Sequence, residues 1–238
     1  MQRSNLIVHR ATMGALVVLV VGSGMPGCSS GGGQANVEAT PGTSPAEQVW
    51  IDKHARFNLA IEGVSFETGV VVVIQPLEGD FEQAIRLREE GIEHYNYGRY
   101  IDATAAHVRA VRMAPELPEA YFSLGEAVLA HGKVDLAAAA HRTALALDPQ
   151  FTDARFHLAM ALWMLSQPED ALAEMEVVVE QDPDRAAAHE RLAIWSYYGG
   201  DDAGAWRHVH AAQNLGHQMP PQFLALLAAR TPEAGASN

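Results

Sequence analysis

A fixed period runs through most of this chain and restricts its fold more than any other feature. Pro115, Pro149 and Pro183 recur at intervals of 34 residues, and so do Ala103, Ala137, Ala171 and Ala205. The same spacing links Gly98, Gly132, Ser166 and Gly200; Gly91, Gly125, Ala159 and Ala193; Ala110, Ala144, Val178 and Ala212; and Leu124, Leu158 and Leu192. Four units follow, 84–117, 118–151, 152–185 and 186–219. A segment of that length makes one supersecondary unit, too small to bury its own apolar face, so neighbouring units have to stack. Within a unit, small residues let two helices approach closely. The glycine then ends the first helix in a left-handed conformation, and the proline stops the second.

The second unit, "PEAYFSLGEAVLAHGKVDLAAAAHRTALALDPQF", resembles the tetratricopeptide repeat, and the resemblance covers residues 84–219. It implies an all-α fold, a right-handed superhelix of about four helix-turn-helix repeats. "QFLALLAAR", 222–230, is apolar on one face and is expected to form a capping helix within 220–230, as the open end of a solenoid requires, with a tail at 231–238. Departures from the pattern mark special positions. Glu90 stands where the other units have leucine, and His107 and His141 take sites usually given to a large apolar side chain. Pro168 opens a helix, and the fourth unit carries His217 in place of its closing proline, with Pro220 and Pro221 delayed. The two histidines are expected to pack between helices with one ring nitrogen hydrogen-bonded, and their protonation near pH 6 to loosen the stack.

In this family the inward face of each unit's first helix lines a concave groove. The resemblance places there Arg88, Ile92 and Tyr95 from the first unit, and Phe122, Glu126 and Leu129 from the second. The third contributes Phe156, Met160, Trp163 and Met164, and the fourth Glu190, Ile194, Tyr197 and Tyr198. An aromatic and methionine-rich trough is suited to anchor a protein partner, although the same side chains also suit inter-repeat packing. Lysine and arginine total 16 against 29 acidic residues, for a net charge of −13, which disfavours nucleic acid. The expected ligand is an extended or helical segment with apolar anchors and basic flanks. Chaperone-binding members of the family use a carboxylate clamp of Lys, Asn and Arg. Apart from Arg88, the corresponding positions here hold Ile92, Ser123, Asp153 and His157, which argues against an acidic C-terminal peptide.

Ahead of the repeats, residues 1–27 read as an export signal: Arg3 and Arg10 precede the apolar run from Met13 to Val21, and small, turn-forming residues lead to Cys28. The apolar stretch is too short for a bilayer span, which takes about 20 residues. As the only cysteine, Cys28 has no disulfide partner within the chain. The segment "GMPGCSSGGG" resembles a bacterial lipoprotein signal, with cleavage after Gly27 and a diacylglycerol on the sulfur of Cys28, although Met25 and Pro26 depart from the usual residues. Such a lipid would bind membrane stably, and Ser29 resembles the pattern sent to the outer membrane, so the expected location is the bacterial cell envelope, facing the periplasm. Residues 28–46, rich in Gly, Ser, Thr and Pro, form a flexible linker with a reach of roughly 25 Å. Residues 47–80 carry both helical and strand-like spacing; a helix over about 46–62, begun at Ser44-Pro45, and then an extended segment packing on the first repeat is the preferred reading. Asp80 with Gln83 is expected to cap the next helix.

Neither a phosphate-binding glycine loop nor a GxSxG elbow occurs, and an acylated Cys28 is no nucleophile, so no enzyme, cofactor or catalytic residue is predicted. His208 and His210 are two apart on one helix and point away from each other. His189, His208 and His217 are the set that could converge for a metal, with no Cys or HExxH pattern beside them, and no metal site is assigned. The composite reading is a membrane-anchored, non-catalytic adaptor or scaffold. Its narrower alternatives are a type IV pilus pilotin-like assembly factor and an envelope scaffold for peptidoglycan-remodelling enzymes, both suggested by the lipid-plus-repeat plan. A metal- or small-ligand-binding protein is the alternative of another class.

Overall fold

The computed structural model describes residues 45–66 and 69–232. The export signal, Cys28, the Ser44 cap and the tail from 233 lie outside the described residues. Those described hold helix α1 (Pro45–Ala60), two short strands β1 (Val64–Ser65) and β2 (Val72–Val73), and then nine further helices. The helices run α2 (Phe81–Asn96), α3 (Tyr100–Met113), α4 (Pro118–Ala130), α5 (Val134–Leu147) and α6 (Thr152–Met164). They continue with α7 (Pro168–Gln181), α8 (Ala186–Gly199), α9 (Asp202–Asn214) and α10 (Pro221–Arg230). None is long and apolar enough to cross a membrane. Four hairpins, α2–α3, α4–α5, α6–α7 and α8–α9, pack in order, the second helix of each against the first helix of the next. The all-α stack of helix-turn-helix repeats expected from the period is the fold of the described chain.

Each hairpin turns by the same backbone device. At the end of α2, Gly98 donates to the Tyr95 carbonyl and Arg99 to that of His94, both at 2.9 Å. Gly132 and Lys133, Ser166 and Gln167, and Gly200 and Asp201 repeat the pattern after α4, α6 and α8. The pair of bonds satisfies carbonyls that the helix end leaves without partners and requires one residue at positive φ. Glycine supplies it three times; at the third turn Ser166 takes φ 60°, the only non-glycine to do so among the described residues, at a cost of about 1 kcal/mol. The second helices stop differently, running into an extended residue at Ala114, Asp148 and Asp182. In the fourth unit, where the proline is missing, Gly216 at φ 78° closes α9 with the first-helix device instead.

Packing between paired helices rests on complementary sizes. Ala103, Ala137, Ala171 and Ala205 have no exposed surface. The buried ring of His107 lies on Gly91, where a Cβ would fall 2.4 Å from its Cε1, and His141 lies on Gly125 in the same way, at 2.5 Å. One and two periods further on, the histidine site holds Met175 and Val209, and the glycine site Ala159 and Ala193. A flat ring thus goes with glycine, and an aliphatic side chain with alanine, because a close-packed interior has room for one choice or the other.

The two ends are finished separately. Asp80 caps α2 by accepting from the Gln83 N–H at 2.7 Å. Helix α1 packs on α3, and its Phe57 stacks on His131 at 4.7 Å. The β-branched stretch after it pairs only at Val64 with Val73 and Ser65 with Val72. Arg112 ties that hairpin to the first repeat by donating to the Gln75 carbonyl at 2.6 Å, and the Val71 N–H reaches Thr143 of the second at 2.8 Å. The segment therefore spans two repeats where one was expected. Glu90 is exposed and sits 3.7 Å from His94, since among the described residues no helical repeat precedes α2 to cover the position that Leu124, Leu158 and Leu192 bury.

Gly91→Ala is expected to cost about 1–3 kcal/mol by forcing the His107 ring aside, and the double variant Gly91→Ala/His107→Val, which copies the fourth unit, to recover most of it. Urea unfolding of the four species as a double-mutant cycle measures this. A double variant no more stable than Gly91→Ala would mean the ring does not limit the site.

Candidate functional site

Helices α2 and α4 lie side by side because each starts its hairpin at the same point of the period, so residues at matching positions share one face. Between them the structure forms a pocket of about 190 Å³ lined by Arg88, Ile92, Tyr95, Phe122 and Glu126, with His107 and Ser123 also contributing. Ile92 remains 37% exposed. Tyr95 meets Tyr100 edge-on at 5.4 Å, and burial, then the nearby Glu126 carboxylate, raises its phenol above the ordinary value, keeping a neutral hydroxyl in the wall. Burial would raise Glu126, but the His141 and His157 imidazoles outweigh it and hold the carboxyl down at about 2. The pocket thus offers apolar walls, one guanidinium and one ionised carboxylate.

Other predicted groove residues are divided between surface and packing. Leu129 is half-buried against the first core, and Phe156, Met160 and Trp163 against the second. Arg185, 2.7 Å from Asp153, lies over the Phe156 ring at 4.4 Å. Trp163 stacks face to face on the buried Trp195 at 4.7 Å. Met164 and Tyr198 are 56% and 69% exposed. In the fourth unit Ile194 is partly buried between two cores, and Glu190 meets His217 at 2.8 Å. Tyr197 is covered: α10 brings Phe223 against its edge and Arg230 over its face at 3.7 Å. Arg230 and Thr231 both bond Asp202, and Trp206 donates to the Thr231 carbonyl at 2.9 Å, which holds α10 in place.

Sequence reasoning missed a larger cleft, about 410 Å³, bounded by α1, the α2–α3 turn and the start of α3, with Lys53, Arg56, Arg99 and His131 in its walls. Its parts come from the ambiguous segment and from a turn, and no spacing connects them.

The buried histidines differ from expectation in two ways. They do pack between helices, but neither nitrogen of His141 has an aligned hydrogen-bond partner where one bonded nitrogen was expected, while at His107 it is Nδ1 that lacks one. Nor are they poised near pH 6: burial, then Arg88 and His94, pushes His107 down to about 3, and burial lowers His141. Of the last-unit set, His189 and His208 do meet, Nδ1 to Nδ1 at 3.1 Å, while His217 turns instead to Glu190. His189 Nε2 donates to the Pro183 carbonyl at 3.0 Å, so in the neutral ring Nδ1 accepts from His208, whose own Nε2 lies 3.5 Å from Glu176 without an aligned hydrogen-bond partner. Among the described residues, those that converge in metal-ligand fashion are Glu126, His141 and His157, a set absent from the sequence-based expectations.

Two family models, each described as a tetratricopeptide repeat, match residues 88–150 and 128–193. Among solved structures the chain is similar to the first TPR of Spaghetti (RPAP3) bound to HSP90 peptide SRMEEVD, at 23% identity and a TM-score of 0.51 over 52% of this chain and 98% of that one. It is similar to YrrB, a TPR protein with an unusual peptide-binding site, at 24% identity and a TM-score of 0.52, over 63% and 76% of the two chains. A third likeness is to TTC0263 of Thermus thermophilus, a thermophilic TPR protein, at 22% identity and a TM-score of 0.50, over 63% and 84%. At these identities the likeness establishes the fold. A comparison with curated proteins gives no match.

The neutral His107 ring has a consequence for stability. The folded chain resists protonating it until about pH 3, whereas the unfolded chain takes up that proton near 6.5. Between those values the unfolded state binds more protons, so stability falls as pH is lowered, by up to about 1.4 kcal/mol per pH unit. Urea midpoints taken from pH 7 to 4.5 should show a shallower decline for Gly91→Ala/His107→Val than for the unmodified protein; equal slopes would assign the acid sensitivity to other groups.

Proposed function

This chain is a tetratricopeptide-repeat protein, and from that premise we propose that it is a non-catalytic adaptor that binds a protein segment in the pocket of Arg88, Ile92, Tyr95, Phe122 and Glu126. The observation that carries this reading is the pocket itself: five residues mapped from the repeat pattern of two units meet in one depression, with apolar walls and a solvent-facing isoleucine. Rigid aromatic walls around a small cavity suit an inserted apolar anchor. Similar structures are described as bound to a peptide or as having a peptide-binding site, which supports the same class of ligand here. The net charge of −13 favours basic flanks on the partner. Arg88 is the one cation among the described residues that line the pocket, and the Glu126 carboxylate lines it too, an arrangement ill-suited to an acidic peptide.

The anchor belongs to the same proposal. A lipid on Cys28 and the linker of residues 28–46 would confine the pocket to the surface of an envelope membrane, raising its effective concentration toward a periplasmic or envelope partner.

A photo-crosslinking residue in place of Ile92 identifies the partner, and Ile92→Asp and Tyr95→Ala should each weaken its binding at least tenfold with an unchanged melting temperature. Unaltered binding by both variants would reduce the pocket to inter-repeat packing. Metabolic palmitate labelling is expected to vanish in Cys28→Ser, with the protein moving to the soluble fraction. Labelling that persists in that variant would remove the anchor.

A further inference from the structure

Glu126 on α4, His141 on α5 and His157 on α6 place one ligand atom each within 4.8 Å of one another. Glu126 Oε1 lies 2.8 Å from His157 Nδ1 and 3.4 Å from His141 Nε2. We propose that these three side chains bind a divalent transition-metal ion of the zinc class, which clasps the second hairpin to the third.

The donor set is of the right kind, since two imidazoles and one carboxylate make a common three-residue zinc site with a fourth position left for water or another ligand. The spacing also suits an ion. Bonds of about 2.0–2.1 Å at tetrahedral angles separate neighbouring ligand atoms by about 3.4 Å; Oε1 already stands 3.4 Å from His141 Nε2, and its 2.8 Å separation from His157 Nδ1 opens to that value with a small shift of either side chain. A hydrogen-bonded triad accounts for the site less well. His141 has no exposed surface, and neither its Nε2, the nitrogen that approaches Glu126, nor Glu126 Oε1 has an aligned partner, although the atoms are close. Buried polar atoms left in that state call for an explanation, and a shared ion supplies one because it needs the lone pairs to converge on a point rather than on each other. Phe122 and Phe156 wall the site, with ring centres 5.4 and 5.6 Å from that of His157, and hold the imidazoles in place.

Comparison among the repeats separates this arrangement from ordinary packing. One period earlier, His107 lies on Gly91 as His141 lies on Gly125, yet the positions of Glu126 and His157 hold Ile92 and Ser123. One period later the three positions hold Met160, Met175 and Arg191. The histidine-on-glycine contact therefore forms without the other two ligands, and the complete set occurs at a single junction.

The experiment uses the full chain, stripped with a chelator and titrated with zinc chloride while the melting temperature is followed, and with cobalt(II) while visible absorption is followed. Zinc should bind one-to-one and raise the melting temperature, and cobalt should show the intense absorption of a four-coordinate site. Glu126→Gln and His157→Ala, with folding checked by circular dichroism, should each weaken binding at least tenfold, and His189→Ala/His208→Ala should leave it unchanged. The proposal is overturned if zinc fails to raise the melting temperature, or if the Glu126 and His157 variants respond like the unmodified protein, which would assign binding to other histidines. Should either variant fail to fold, the cobalt spectrum of the unmodified chain decides, since weak absorption of a six-coordinate ion rules out the clasp.

Discussion

Close approach of paired helices at Gly91, Gly125, Ala159 and Ala193 is the contact on which the rest of this structure depends. At each crossing the first helix presents almost no side chain, and a residue from the second fills the space: His107, His141, Met175 or Val209. Interiors packed at crystal density leave little slack, so helix spacing is set at these points and transmitted through the stack by the buried alanines around them. The faces of α2 and α4 then lie at a fixed separation, and the pocket between them is a by-product of that separation.

The same contact explains the behaviour of the histidines. A ring pressed flat on a glycine backbone is shut off from solvent, so burial, ahead of the nearby Arg88 and His94, dominates its proton affinity and the ring stays neutral well below the usual range for His107. Buried imidazole is therefore a packing element at the first hairpin. At the second, a carboxylate and another imidazole stand beside the ring, and one packing device acquires the means to hold an ion.

Ends matter in a stack because interior repeats cover one another and terminal ones do not. At the start, Glu90 meets solvent where its counterparts are buried leucines, while α1 and the short β-hairpin cover α3 and reach Thr143. At the other end, α10 is held by Asp202 and Trp206 and lays Arg230 and Phe223 on Tyr197. That aromatic ring is engaged by the cap, which leaves Tyr198 as the exposed groove aromatic of the last unit.

The period, the hairpin turns, the small-residue contacts and the apolar C-terminal cap were legible in the sequence because each rests on neighbours in the chain: a helix stop needs one left-handed residue, and a helix face repeats every few positions. Five of the mapped groove residues share a pocket for the same reason, two matching faces set side by side. Residues 47–80 were not settled in advance, since β-branched runs suit strand or packed coil alike, and only docking against Arg112 and Thr143 chose. Tertiary structure alone decided that Tyr197 lies under α10, that His217 turns to Glu190, and that Glu126, His141 and His157 meet. Those partners come from different helices with no fixed offset between them, and proximity of that kind arises only when the hairpins stack.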